Sequence, residues 1–304
     1  MEFMHIKDAI EKGLEFIDDA RQSDRLISGL PTGFLDLDRL TTGFYPGDFV
    51  VVAGRSGVGK SGFMLSIAVN LAFTMEVPVA IFSLEATKLQ LSFRMLSILS
   101  GVPLRNLRMG FVSDEVWSDI VLVGTELAES PLYIEDSPRL TIAELREKSK
   151  KLREEKGVEV IFVDYLQLLR VPFRRNTRQE EVADISIELK AIAKELNIPV
   201  VAISQLSRQV EQRKDRRPQL VDLRDSGQIG EVADIVLFIH RTSANKLIPS
   251  PEEEEVAEVI VAKQRQGATG IVKLAFDKET TEFRNLGYLW ERKEVTSEDF
   301  ELDF

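Results

Sequence analysis

The sequence predicts an α/β fold: a mainly parallel sheet flanked by helices, preceded by an N-terminal helical arm. Three observations carry that expectation. Short apolar runs alternate along the chain with longer helical stretches. The runs are apolar at consecutive positions rather than at every second one, which is the pattern of strands buried on both faces. The first of them, Phe49-Val50-Val51-Val52-Ala53, leads through a glycine-rich octet into a helical segment, the strand–loop–helix order of a βα unit.

Taken in order, residues 5–22 place Ile6, Ile10, Leu14 and Ile17 at helical spacing among charges. That predicts an amphipathic helix whose apolar stripe needs a partner, in this chain or in a neighbour. Residues 23–48 read as mixed, with turn signals at Gly29, Gly33, Gly43 and Pro46-Gly47. Strands are expected at 49–53, 79–82, 132–134, 160–163, 200–203 and 235–239, and helices at about 61–74, 87–100, 114–128, 141–155 and 179–196. The pattern then changes: 256–262, 270–276 and 281–285 read as shorter strands joined by turns, in antiparallel style. With no long linker after residue 48, the expected organisation is a helical arm over 1–28, one α/β domain over 29–290 and an acidic tail over 291–304.

The 304 residues are 44% hydrophobic, enough for one large core. There is no cysteine, so no disulfide framework or thiolate metal site is expected. The two histidines, His5 and His240, are too far apart in sequence to suggest a metal cluster. No apolar run reaches membrane-spanning length, and no basic-then-apolar leader opens the chain, so a soluble cytoplasmic protein with no membrane contact is expected. The formal charge of −11 argues against a polyanionic partner. Against it stand two basic stretches. One is 208–217, with five basic residues and two acidic ones; the other is 170–178, with four arginines and no acid. Converging basic loops let an acidic protein bind nucleic acid; solvated loops without a partner are the alternative.

The octet Gly54-Arg55-Ser56-Gly57-Val58-Gly59-Lys60-Ser61 fits the phosphate-loop pattern G-x-x-x-x-G-K-[ST]. Its glycines let backbone N–H groups turn toward phosphate oxygens at the positive end of the following helix. Lys60 can reach the β- and γ-phosphates, and the Ser61 hydroxyl can ligate Mg²⁺. A triphosphatase also needs a second magnesium contact and a group that activates water. Asp164 ends a buried strand, where ligands bind in parallel sheets; it is either that contact or a helix cap. Glu85 closes Ile81-Phe82-Ser83-Leu84 and is either a base for the attacking water or a surface acid favoured by a helix dipole. Gln205 ends Val200–Ser204, where a polar amide can touch a γ-phosphate and pass the signal to the loop that follows.

As a set, eight segments resemble the ATPase domain of DnaB-type replicative DNA helicases, within the RecA-like group. They are Leu30–Asp38, the phosphate loop, Phe82–Glu85, Asp164–Leu168, Ser204–Arg208, Asp222–Gly227, Ala233–Val236 and Lys263–Gly267. The resemblance spans about residues 10–286. It implies that Gly54, Ser56, Gly57, Val58, Gly59, Lys60 and Ser61 hold ATP, and that Ser61 and Asp164 hold Mg²⁺. Glu85 resembles the catalytic base, Gln205 the γ-phosphate sensor and Arg94 a nucleotide-site arginine. Lys263 and Arg265 resemble the basic pair that reaches a neighbouring subunit's ATP site. Arg224, Asp225 and Gly227 match a loop that tracks single-stranded DNA. The implied activity is ATP-driven 5′→3′ translocation by a hexameric homo-oligomer that unwinds duplex DNA; a RecA-like recombination or repair ATPase is the alternative. The phosphate loop departs from the family's usual proline, serine, methionine and final threonine, and both versions satisfy phosphate geometry. A helicase loader fits the resemblance as a further partner. The family's N-terminal helical domain has no counterpart here, which leaves a primase contact in doubt. The 5–22 helix matches the linker helix that docks on the adjacent subunit.

Overall fold

The computed structural model describes residues 5–22, 27–171, 175–207, 210, 213, 216–226, 228–241 and 256–286. The expected acidic tail at 291–304 lies outside them. An exposed helix, α1 (Ile6–Gln22), comes first. Ile6, Ile10, Leu14 and Ile17 on it are 54–67% exposed, and Phe16 reaches the ring of Tyr45 at 6.4 Å. The stripe that the periodicity predicts is therefore present and largely uncovered.

A short helix, α2 (Leu35–Thr41), forms where only turns were expected. It is seven residues long, too short to show a period, and it forms because Leu35 and Leu37 are buried and the Asp38 carboxylate ties down the preceding loop. Asp38 accepts from Thr32 N, Thr32 Oγ1 and Gly33 N at 2.7–3.0 Å. Burial nonetheless pushes its carboxyl up to about 7.

The βα alternation then follows as predicted. In order come β1 (Phe49–Gly54), α3 (Lys60–Val69), β2 (Val79–Ser83), α4 (Lys88–Ser100), α5 (Leu104–Met109), α6 (Asp114–Glu129), β3 (Leu132–Glu135), α7 (Ile142–Lys156), β4 (Val160–Asp164), α8 (Arg178–Leu196), β5 (Val200–Gln205), α9 (Ile229–Val232) and β6 (Ile235–His240). Helix α3 does not run regularly to residue 74; it ends in a π turn, Asn70–Thr74, in which the Asn70 amide donates to Thr32 O at 3.1 Å. Helix α5 lies between Gly101 and Gly110, both in the left-handed region, and was not foreseen. Capping boxes at Thr87/Gln90 and Thr141/Glu144 start α4 and α7.

The chain closes with β7 (Val256–Gln264), β8 (Gly270–Asp277) and β9 (Glu282–Asn285). Among the described residues, nine strands form one sheet in the order β3-β2-β4-β5-β1-β6-β7-β8-β9. Strands β1 to β6 pair in parallel, and β6-β7-β8-β9 pair antiparallel, as the change of pattern predicts. Each parallel strand feeds both faces. On β1, Val50 and Val52 join the core with α3, whereas Phe49, Val51 and Ala53 join the core with α8. No helix among the described residues is long and apolar enough to cross a membrane.

Candidate nucleotide site

The C-terminal ends of the parallel strands open on a cavity of about 640 Å³. Its floor is the loop from β1 to α3. Gly57 and Gly59 there have φ of +78° and +102°. A Cβ on Gly59 would lie 3.1 Å from the rings of Phe276 and Phe283, so only glycine brings the loop this close to the hairpin behind it. Gly54 and Val58, also expected in the site, are not among the residues that line the cavity: Gly54 ends β1, and the Val58 side chain is buried in the core.

Lys60 and Ser61 open α3 and face the cavity. Lys60 Nζ donates to Arg55 O at 2.8 Å. Burial drops this ammonium from 10.5 to about 8, against the pull of Asp164 and Glu85. Asp164 ends β4, 2% exposed, beside Ser83 of β2. Burial pushes its carboxyl up, while a hydrogen bond from Ser61 and the charges of Arg94 and Lys60 pull it down. Its Oδ1 is buried and takes no hydrogen bond among the described residues. Glu85, just past β2, and Gln205, ending β5, are exposed and line the same cavity, as do Ser56 and Arg94.

The expected chemistry therefore gathers from four strand ends, except for the pair Lys263 and Arg265 and the trio Arg224, Asp225 and Gly227. Lys263 and Arg265 lie at the opposite end of the strands. Gln264 pairs with Ile235, which pairs with Val50 near the start of β1. Lys263 Nζ donates to the carbonyls of Gly230, Glu231 and Ala233 at 2.7–2.9 Å. Arg265 Nη2 donates to Glu231 O and Val232 O, and Arg265 Nη1 pairs with Asp234 at 3.4 Å. Of the trio, Arg224 and Asp225 fall in a 3₁₀ turn, Leu220–Ser226, and Gly227 lies outside the described residues.

The cavity also holds residues that sequence reasoning missed. Arg241 follows β6, and its guanidinium stacks 3.8 Å above the Phe276 ring. The rule that selected Asp164 and Gln205, a polar residue just past an apolar parallel strand, applies equally to Arg241. Phe276, Lys278 and Thr281 arrive from the β8–β9 hairpin, and Arg108 from α5. Nothing in their local sequence marks them, because the hairpin folds back over the loop only in three dimensions.

A glycine loop, a lysine and a hydroxyl at a helix start, and a buried aspartate ending a strand two places away together define a nucleotide-binding protein of the phosphate-loop class. A sequence profile described as DnaB-like helicase C-terminal domain matches residues 29–285. The chain belongs to that family. It is 44% identical over 285 residues to "Replicative DNA helicase DnaC" of Bacillus subtilis (strain 168), and 43% identical over 286 residues to "Replicative DNA helicase DnaB" of Geobacillus stearothermophilus. Each match covers 93% of this chain and 62% of the relative, so the chain spans less than two thirds of their length. Among solved structures, one described as an ATPase domain superposes with a TM-score of 0.86 at 34% identity, covering 94% of this chain and all of that one. A second, described as a DnaB-like replicative helicase and its interactions with primase, gives 0.83 at 34% identity, over 94% of this chain and 68% of the other. The fold is that of these RecA-like ATPase domains.

Proposed function

We propose that this chain is the ATP-driven motor of a replicative DNA helicase, assembled as a hexameric ring that moves 5′→3′ on single-stranded DNA and separates duplex strands. One observation carries the reading: in a member of this helicase family, the cations matching the family's basic pair stand at the far end of the sheet from the chain's own phosphate loop. A second copy has to supply them. In this scheme the arm over 1–28 bridges to a neighbour, residues 29–290 are the motor, and 291–304 is a tail outside the described residues. A loader is a compatible partner.

The roles follow from chemistry. The 56–59 backbone and Lys60 bind the β- and γ-phosphates of ATP, with Arg94 beside them. Asp164 Oδ1, buried without a hydrogen bond, and the adjacent Ser61 hydroxyl form a donor pair that suits hydrated Mg²⁺. Bound there, the metal neutralises charge developing on the phosphates. Glu85, exposed at the rim, orients a water and takes its proton. Gln205 meets the γ-phosphate. Arg265 of a neighbouring copy stabilises the transition state; Lys263 joins it only by exchanging its three carbonyl partners. Arg224, Asp225 and Gly227 grip the DNA backbone without reading bases.

The test is strand displacement on forked duplexes. ATP-dependent unwinding of a 5′-tailed fork, and none of a duplex carrying only a 3′ tail, is expected. Homology-driven strand exchange without displacement would replace this reading with the recombinase one.

A further inference from the structure

Parallel strands β4 and β5 do not end together. Their ladder stops at Val163 opposite Ala202, whereas β5 continues to Gln205, paired with β1 through Gly54. On the β4 side, Ser204 and Gln205 thus run past the last paired residue. The chain beyond Asp164 turns through a 3₁₀ segment, Leu166–Leu168, and returns one side chain to the gap. Gln167 Oε1 accepts from Gln205 N at 3.3 Å, and Gln167 Nε2 donates to Gln205 O at 3.1 Å and to Ser204 Oγ at 2.9 Å. Both N–H donors are used, and the orientation of the amide is dictated by the backbone groups it meets, since the reverse would set oxygen against oxygen. Gln167 is held in turn: its own carbonyl accepts from Arg178 Nη2 at the start of α8.

We propose that Gln167 is a positioning residue that completes the missing stretch of ladder and so fixes the backbone of Gln205 for contact with the γ-phosphate; this rests on the ATPase reading above. The side chain of Gln205 stands exposed in the cavity, so its aim depends on how firmly its own peptide groups are held. A primary amide reproduces the donor and acceptor of a peptide unit, and it bonds both the N–H and the C=O of the residue it steadies. A displacement of about 1 Å in a group that meets the reacting phosphate can lower turnover by about 100-fold without weakening substrate binding.

The test is made on the full chain by steady-state ATP hydrolysis, with nucleotide affinity and Tm measured alongside. Gln167→Ala is expected to lower kcat by about 10- to 100-fold while the nucleotide Kd stays within about twofold. Gln167→Glu keeps the size and the acceptor but sets a carboxylate oxygen against the Gln205 carbonyl; it is expected to lose kcat similarly, and it serves where the alanine variant fails to fold. Because Gln167 acts through Gln205, the double variant with Gln205→Ala should hydrolyse no more slowly than Gln205→Ala alone, whereas independent effects multiply. Parent-like kcat in both Gln167 variants, a lowered Tm with kcat unchanged, or a multiplied loss in the double variant overturns the inference alone. A parent chain that binds ATP but never hydrolyses it overturns the ATPase reading, and the inference with it.

Discussion

Arg265→Ala is expected to abolish turnover while leaving nucleotide binding intact, if the arginine serves another copy of the chain as proposed. The register makes this quantitative. Arg265 N donates to Asp234 O, and Asp234 N donates to Phe49 O, so Arg265 lies level with the first residue of β1. Gly54, where the phosphate loop begins, is five residues further along that strand, about 17 Å at ~3.3 Å per residue. Strand β7 stands two strands from β1, about 10 Å sideways. Together these give about 20 Å, beyond the reach of one arginine side chain. Arginines supplied in trans raise kcat by about 10³- to 10⁵-fold in related triphosphatases. Steady-state ATPase rates and fluorescent-nucleotide titration measure the split between turnover and affinity. Subunit mixing makes the test sharper. Arg265→Ala and Lys60→Ala should each be inactive alone, yet equal amounts mixed at random in a head-to-tail ring complete about one quarter of the interfaces. Parent-rate hydrolysis by Arg265→Ala, or a mixture no more active than its parts, refutes the reasoning.

Two further outcomes follow from the cavity. Lys60 titrates near 8 when folded against 10.5 ordinarily, so between those values the unfolded chain holds more protons, and this group's contribution to stability rises with pH through that window. A bound triphosphate restores the ammonium, so binding at about pH 8.5 should take up a proton, seen as a buffer-dependent calorimetric enthalpy that Lys60→Met removes; buffer-independent enthalpies in the parent contradict this. Gly62→Ala places a Cβ 2.4 Å from the Thr281 carbonyl, a backbone atom of the hairpin lining the cavity. Overpacking of this kind costs about 1–3 kcal/mol, so Tm should fall by several degrees and nucleotide affinity with it, whereas parent values for both would show that the hairpin yields freely.

Much of this molecule is legible one segment at a time. Consecutive apolar residues in 49–53, 160–163 and 200–203 announce doubly buried strands, because burial on both faces leaves no polar position to alternate with. The phosphate loop is equally readable, since its glycines answer a local backbone requirement, and Asp164, Glu85 and Gln205 are found by standing just past strand ends. Helices α2 and α5 were not legible: at seven and six residues they are shorter than two turns, and tertiary contacts rather than periodicity make them helical.

What only the assembled sheet decides is which strand ends are neighbours. Residues 54, 85, 164 and 205 meet because β2, β4, β5 and β1 stand side by side, an order unrelated to their order in the chain. Arg241, just past β6, and Phe276, on β8, enter the same cavity from two different strands, and Gln167 finds Gln205 through a gap that exists only because two strands stop at different heights. Lys263 and Arg265 carry the same charges in the sequence as in the fold, but their distance from the phosphate loop is a property of strand direction. An antiparallel return places them at the opposite end of the strands, which is why the proposed role needs a second copy of the chain.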